Sequence, residues 1–83
     1  MNITVEISMY PLHDSYEAPI LDFIKRLNGH KALTVKTNAT STHIAGEFDI
    51  VFGALKSELK TSFESGKKFV IVTKIINAAL AIE

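Results

Sequence analysis

Few residues of this 83-residue chain have types and spacings suited to chemistry. The three histidines, His13, His30 and His43, do not stand at the spacing of a metal site, and the chain has no cysteine. No serine lies in the G-x-S-x-G context of a hydrolase nucleophile, and the four glycines form no phosphate-binding loop. We therefore expect no catalytic residue, no metal site and no cofactor, and we expect a protein that is not an enzyme.

Polar side chains are concentrated in two places. In residues 2–10 they alternate with apolar ones, which predicts a strand whose polar face carries Thr4, Glu6, Ser8 and Tyr10. Residues 37–42 (TNATST) are the densest group of short neutral donors and acceptors. This segment is either an ordinary hairpin turn, in which Asn and Ser bond the local backbone, or part of a ligand pocket. Both interpretations stay open.

The elements that must position these residues follow the order βαββαβ. Strands are predicted over residues 2–10, 33–38, 42–47 and 68–76, because apolar and polar residues alternate or a short apolar run occurs. A first helix should begin between Glu17 and Pro19, after an irregular lead-in over 14–16, and end at Asn28-Gly29. A second helix should run from Phe48 to the stop signal at Gly66.

This order is typical of the ferredoxin-like α+β fold. It predicts a four-stranded antiparallel sheet in the spatial order 4-1-3-2, with both helices on one face. Four phenylalanines fall on helical positions predicted to face the core: Phe23, Phe48, Phe52 and Phe63.

The other face of the sheet is predicted to be partly apolar. The last strand would expose Val70, Val72 and Ile76 there, and such a stripe is a liability in a monomer. Packing of one open sheet on another would bury it, so we expect a homodimer or a larger homo-oligomer. The polar residues beside it either line a pocket or pair internally, for example Glu6 with Lys74.

Charge and length limit the remaining possibilities. Nine basic and nine acidic side chains give a formal net charge of zero without a basic run, which argues against a nucleic-acid partner. No apolar run approaches the roughly 20 residues of a membrane span, and no signal segment is evident. We expect one domain over residues 1–83, in the cytoplasm, with no membrane partner.

Three stretches resemble the YkoF family of thiamine and hydroxymethylpyrimidine binding proteins. They are residues 5–12 (VEISMYPL), 37–42 (TNATST) and 46–49 (GEFD), and they follow one another in the family's order. The resemblance covers nearly the whole chain, which is similar to a single unit of a family that also contains tandem units. It implies a ferredoxin-like domain that forms dimers or tetramers. It also implies binding of thiamine or its pyrimidine moiety, without chemistry on it, in vitamin B1 salvage, transport or regulation.

The resemblance also indicates where a ligand would lie. The matching positions are at the end of the first strand, in the hairpin and at the second helix: Ser8, Tyr10, Asn38, Ser41, Thr42, Glu47 and Asp49. An aminopyrimidine needs an acceptor for its amine, a donor for a ring nitrogen and a surface to stack on. Glu6, Glu47 or Asp49 could accept from the amine. Ser41, Thr42 or Asn38 could donate to the ring nitrogen, and Tyr10 could stack on the ring. The alternative is a protein-interaction or regulatory module of ACT-like fold, on fold analogy alone.

Overall fold

Alternation of apolar and polar residues builds the central strand as predicted. The computed structural model describes residues 1–14 and 17–82, and its elements run in chain order. They are β1 (Asn2–Pro11), α1 (Glu17–Asn28), β2 (Thr34–Thr37), β3 (Thr42–Glu47), α2 (Phe48–Phe63) and β4 (Phe69–Ile76). The predicted lead-in before α1 includes residues 15 and 16, which lie outside the described residues.

The four strands form one antiparallel sheet in the order β2-β3-β1-β4, which confirms the predicted ferredoxin-like fold. Ile3, Val5 and Ile7 of β1 point to the face that the helices cover, and all three are buried. The opposite face, which we call the open face, carries the polar set of β1. The side-chain period of two separates the two sets.

The second helix, α2, has a capping side chain at its start and a glycine shortly after its end. The Glu47 carboxylate accepts hydrogen bonds from the backbone N–H groups of Asp49 and Ile50, at 2.9 and 3.2 Å, and so caps α2. Gly66 follows α2 with φ of +84°, a left-handed conformation that glycine adopts without strain.

No helix among the described residues is long and apolar enough to cross a membrane.

The prediction that the aromatic side chains of α2 are core residues is wrong. Phe48, Phe52 and Phe63 are between 37% and 49% exposed, whereas Phe23 of α1 is buried as expected. The buried stripe of α2 instead consists of Val51, Ala54, Leu55 and Ser62. Two of these four residues, Ala54 and Ser62, are small, and Ser62 faces α1, where its hydroxyl accepts from Arg26 Nη2.

The last strand differs from the other three because it packs mainly against β1. The helices contact each other and the other strands, and neither packs extensively on β4. Ile75, on the helix face, is therefore half exposed. Val72 and Ile76 lie on the open face, away from the helices, and are 49% and 45% exposed. The predicted apolar stripe on the open face is present.

Candidate functional site

The central strand has a free edge at its carboxyl end. Its pairing with β3 runs from Asn2 to Ile7, which lies opposite Thr42. Beyond that pair the chain of β3 leaves the sheet, while β1 continues to Pro11 with β4 as its only strand neighbour among the described residues. One side of β1 is therefore without a partner strand over residues 8–11.

The register identifies which backbone groups face this free edge. The Leu12 N–H donates to the Lys68 carbonyl at 2.9 Å, so even-numbered residues direct their backbone groups toward β4. The N–H and C=O of Met9 therefore point the other way, and they have no hydrogen-bond partner among the described residues. Pro11 is the next residue on this edge. Its missing N–H costs no sheet hydrogen bond there, which explains how β1 includes Pro11, one residue beyond the predicted range of 2–10.

A cavity of about 210 Å³ lies beside this edge, between β1, α1 and the β2–β3 loop. Its apolar wall is formed by Ile7, Met9, Ile20, Phe23, Ile24 and Ala39. Its polar side consists of hydroxyl and amide residues: Ser8, Thr37, Asn38, Thr40, Ser41 and Thr42. The described residues that line the cavity include no charged side chain. This combination of an apolar wall and a few directed polar groups is typical of a small-molecule site.

The loop at the cavity mouth is held by Asn38. Its side-chain oxygen accepts from the backbone N–H groups of Thr40 and Ser41, both at 2.9 Å, and from the Thr40 hydroxyl at 3.1 Å. The Asn38 N–H donates to the Ser41 carbonyl, which closes the turn. Asn38 thus has the structural role that we had left open, because one oxygen organises the whole loop.

Two further hydroxyl contacts tie the loop to the sheet. The Ser8 hydroxyl donates to the Thr40 carbonyl at 3.3 Å. The hydroxyls of Thr37 and Thr42 lie 3.0 Å apart, at the point where β2 and β3 separate. These contacts fix the polar side of the cavity relative to its apolar wall.

Glu6 lies on the open face, behind the loop. Its Oε2 accepts from the Ser41 hydroxyl at 3.3 Å and lies 3.2 Å from His43 Nε2. Its Oε1 lies 3.7 Å from Lys74 Nζ, so the internal pairing that we considered is present. Three neighbours therefore share this carboxylate, and only Ser41 connects it to the cavity.

The structure thus brings four of the predicted site residues together at the cavity: Ser8, Asn38, Ser41 and Thr42. Tyr10 lies on the open face opposite Val70 and does not line the cavity. Glu47 and Asp49 lie at the start of α2, about five strand residues or roughly 16 Å from Thr42. Glu47 already caps the helix there.

The contribution of Met9 was not predicted, because it comes from the backbone. Side-chain patterning places Met9 on the apolar face, and nothing in its type indicates an unpaired N–H and C=O. The signal that could have found it is Pro11, since a proline on a central strand requires that one edge be free. Among the described residues, no group of three or more His, Asp or Glu side chains could hold a metal ion.

No family model matches this chain, and no curated protein matches it either. Solved structures do share its fold. A hypothetical protein of Methanocaldococcus jannaschii is 25% identical with a TM-score of 0.71, and the match covers 93% of this chain and 80% of that one. A domain of unknown function from Bacillus cereus is 16% identical with a TM-score of 0.73, covering 99% and 84% of the two chains.

A third solved structure carries a functional name. It is a candidate thiamine biosynthesis or salvage protein of Thermotoga maritima, 18% identical with a TM-score of 0.71. The match covers 99% of this chain and 91% of that one. At this identity the likeness concerns the fold. The chain is therefore similar in fold to proteins of unknown function and to one protein associated by name with thiamine.

Proposed function

We propose that this protein binds hydroxymethylpyrimidine, or thiamine through its pyrimidine moiety, in the cavity beside the free edge of β1. Binding occurs without chemistry on the ligand, in the cytoplasm, in support of vitamin B1 salvage, transport or regulation. The observation that carries the proposal is that the N–H and C=O of Met9, which have no hydrogen-bond partner among the described residues, lie beside an apolar wall. The proposal is also supported by the resemblance to the YkoF family and by the Thermotoga maritima neighbour.

An aminopyrimidine complements the two backbone groups. Its exocyclic amine would donate to the Met9 carbonyl while the adjacent ring nitrogen accepts from the Met9 N–H, as a paired strand would do. The flat ring would lie against Ile20 and Ile24, and the hydroxymethyl group would reach the hydroxyls of the loop. Because all these contacts are neutral, no buried charge is left unpaired.

The cavity volume distinguishes the two ligands. About 210 Å³ is below the range of roughly 300–1,000 Å³ for drug-sized ligands, so the cavity suits the pyrimidine alone. The thiazolium ring of thiamine would extend beyond the loop. Its positive charge would then lie on the side of Glu6, whose carboxylate is partly exposed.

Calorimetric titration with hydroxymethylpyrimidine and with thiamine tests the proposal. Met9→Pro removes the N–H donor and should weaken binding at least about tenfold, or about 1.4 kcal/mol. Met9→Leu keeps the donor and the apolar side chain and should bind nearly as the wild type does. Ile24→Phe, which fills part of the cavity, should also abolish binding without unfolding the chain. Absence of heat with both ligands would refute the proposal.

We also propose that a second copy of the chain covers the open face, giving a homodimer or homotetramer. The support is that β4 presents half-exposed Val70, Val72 and Ile76 on this face, with Lys74 between the last two and Tyr10 opposite Val70. Val72→Glu should shift the sedimentation coefficient to that of a monomer. Leu21→Glu, at an apolar residue of α1 that is 62% exposed against 49% for Val72, should leave the assembly unchanged.

The second candidate function is a protein-interaction or regulatory assembly module of ACT-like fold. The same apolar row on the open face favours it, because such a surface also suits a different protein partner. The two functions differ in the titration above. The assembly module would be favoured if the chain binds neither hydroxymethylpyrimidine nor thiamine and the Val72→Glu variant no longer associates.

A further inference from the structure

Three hydroxyl groups on the polar side of the cavity have already committed their hydrogens. The Ser8 hydroxyl donates to the Thr40 carbonyl at 3.3 Å, and the Ser41 hydroxyl donates to Glu6 Oε2 at 3.3 Å. The Thr40 hydroxyl donates to Asn38 Oδ1 at 3.1 Å. Carbonyl, amide and ionised carboxylate oxygens can only accept, so the direction of each bond is fixed. We call Ser8, Thr40 and Ser41 the acceptor wall, because their hydroxyls have only lone pairs left to offer a ligand.

The Asn38 amide and the hydroxyls of Thr37 and Thr42 do retain uncommitted hydrogens. Asn38 Oδ1 is fixed inside the turn, because the backbone N–H groups of Thr40 and Ser41 both donate to it. The amide nitrogen keeps its donors, but this side chain is exposed, so water can satisfy them. The hydroxyls of Thr37 and Thr42 share one hydrogen bond in which either can donate. By rotation this pair can offer a ligand a lone pair or a hydrogen, so it does not oppose the polarity of the acceptor wall.

The acceptor wall lies on the open-face side of the cavity. Ser8 belongs to the polar set of β1, and the Ser41 hydroxyl reaches Glu6 of the same set. Ile7 and Met9 lie on the helix side, since side chains alternate along the strand. A ligand at the edge of Met9 would therefore have apolar groups on one side and oxygen lone pairs on the other.

Glu6 adds negative charge behind the acceptor wall. The hydrogen bond that Ser41 donates to its carboxylate polarises the Ser41 hydroxyl, which makes the remaining lone pairs better acceptors. The ammonium group of Lys74 lies 3.7 Å from Glu6 on a side chain that is 77% exposed, so solvent weakens that ion pair. Among the described residues that line the cavity there is no cation.

We propose that the acceptor wall makes the cavity prefer pyrimidines with a protonated primary amine in place of the alcohol of hydroxymethylpyrimidine. This inference rests on the proposed function. An ammonium group carries three donors and no acceptor, so it can bond the lone pairs of Ser8 and Ser41 and direct its charge toward Glu6. An alcohol brings one hydrogen, and its own lone pairs then face those of the wall. Because Ser8 and Ser41 are only half-buried, the ammonium group keeps part of its hydration.

Three ligands of nearly equal size test this preference by calorimetric titration near neutral pH. They are hydroxymethylpyrimidine and its analogues with an aminomethyl or an ethyl group in place of the hydroxymethyl group. The aminomethyl analogue should bind at least about tenfold more tightly than hydroxymethylpyrimidine, and the ethyl analogue at least about tenfold less tightly. A cavity lined by hydrogen-bond donors would reject the ammonium group. Equal or weaker binding of the aminomethyl analogue would therefore overturn the inference.

Glu6→Gln tests the source of the preference. The amide can donate to the Ser41 oxygen, which releases the Ser41 hydrogen toward the cavity and removes the negative charge. The affinities for the amine and the alcohol should then lie within about threefold of each other. Asp49→Asn removes the same charge at the start of α2, away from the cavity, and should keep the full preference. Ser41→Ala cuts the link between Glu6 and the cavity, so it should act as Glu6→Gln does even if that variant is unstable.

The outcomes separate this inference from the function on which it rests. If neither hydroxymethylpyrimidine nor thiamine gives heat, the proposed function fails and the preference fails with it. If hydroxymethylpyrimidine binds and the amine does not bind more tightly, only the preference fails. A preference for the amine that survives both Glu6→Gln and Ser41→Ala would show that the acceptor wall is not its cause.

Discussion

The imidazole Nε2 of His30 lies 2.7 Å from Oε2 of Glu58 and joins the end of α1 to the middle of α2. The other carboxylate oxygen of Glu58 accepts from Arg26 Nη1 at 2.9 Å, and the same nitrogen donates to the Glu58 carbonyl at 2.8 Å. Arg26 Nη2 also donates to the Ser62 hydroxyl. This cluster connects the two helices through side chains.

The cluster makes the stability of the fold depend on acid. The hydrogen bond from His30, followed by the contact with Arg26, holds the pKa of Glu58 below its ordinary value of 4.5, although partial burial opposes the shift. A carboxyl group with a lowered folded-state pKa stabilises the fold fully above its ordinary pKa. That contribution is lost as the pH falls from about 4.5 through the lowered value. Melting curves should therefore move to lower temperature over that range, and Glu58→Gln should reduce the dependence.

Removing one partner of this cluster should destabilise the fold near neutral pH. Glu58→Gln weakens charge-assisted hydrogen bonds from His30 and Arg26, so we expect a loss of about 1.5–3 kcal/mol in the free energy of unfolding. Asp22→Asn is the matched control, because Asp22 also bonds Arg26 but is 65% exposed. An exposed pair of this kind contributes about 0–1 kcal/mol. Urea denaturation at neutral pH measures both, and equal losses would contradict the role of Glu58.

Asn38 should affect stability before it affects binding. Asn38→Ala removes the acceptor of three hydrogen bonds in the β2–β3 loop, and we expect a loss of about 1–2 kcal/mol. Asn38→Asp keeps an acceptor oxygen at the same place and should lose much less. Thermal melting of the two variants without ligand checks this. If Asn38→Ala melts as the wild type does and only binding suffers, the side chain serves the ligand rather than the loop.

Two glycines should respond to alanine in opposite directions. A Cβ at Gly46 would lie 2.7 Å from Leu33 Cδ2 and 3.4 Å from Val51 Cγ2, so Gly46→Ala overpacks the core and should cost about 1–3 kcal/mol. A Cβ at Gly53, inside α2, would meet nothing within 4 Å. Gly53→Ala should therefore stabilise the chain by about 0.5–1 kcal/mol, through helix propensity. Chemical denaturation of the pair provides the comparison.

The neutral lining of the cavity predicts discrimination against phosphate esters. No basic side chain lines it among the described residues, and Ser41 connects it to the carboxylate of Glu6. A phosphate would lose its hydration there without gaining a cation. We expect hydroxymethylpyrimidine to bind at least about tenfold more tightly than its phosphate ester. Equal affinities in competition titrations would contradict this cavity as the site.

Much of this architecture could be predicted from local patterns of side-chain types along the chain. Alternation in residues 2–10 predicted β1 and its two faces, and Asn28-Gly29 and Gly66 predicted the ends of the helices. The apolar row on β4 was also predictable, because a strand with apolar residues on both faces needs a cover on each. These features depend on local geometry, which side-chain types report directly.

Other features were decided by packing between distant segments. The buried stripe of α2 includes Ala54 and Ser62 and leaves out the phenylalanines, a choice that helical periodicity alone cannot make. Within the described part of the chain, the N–H and C=O of Met9 have no partner because β3 ends its pairing with β1 at Thr42. The register between two strands decides which backbone groups are paired, and side-chain types do not reveal that register.

The sequence by itself determined the order of the elements, the two faces of β1 and the polar composition of the β2–β3 loop. Only the tertiary structure decided that this loop closes a cavity against α1, and that the Thr4 hydroxyl bonds the backbone of Ala78 and Leu80 after β4. The physical reason is that periodicity and turn chemistry act over a few neighbouring residues, whereas these contacts join segments that meet only when the sheet is assembled.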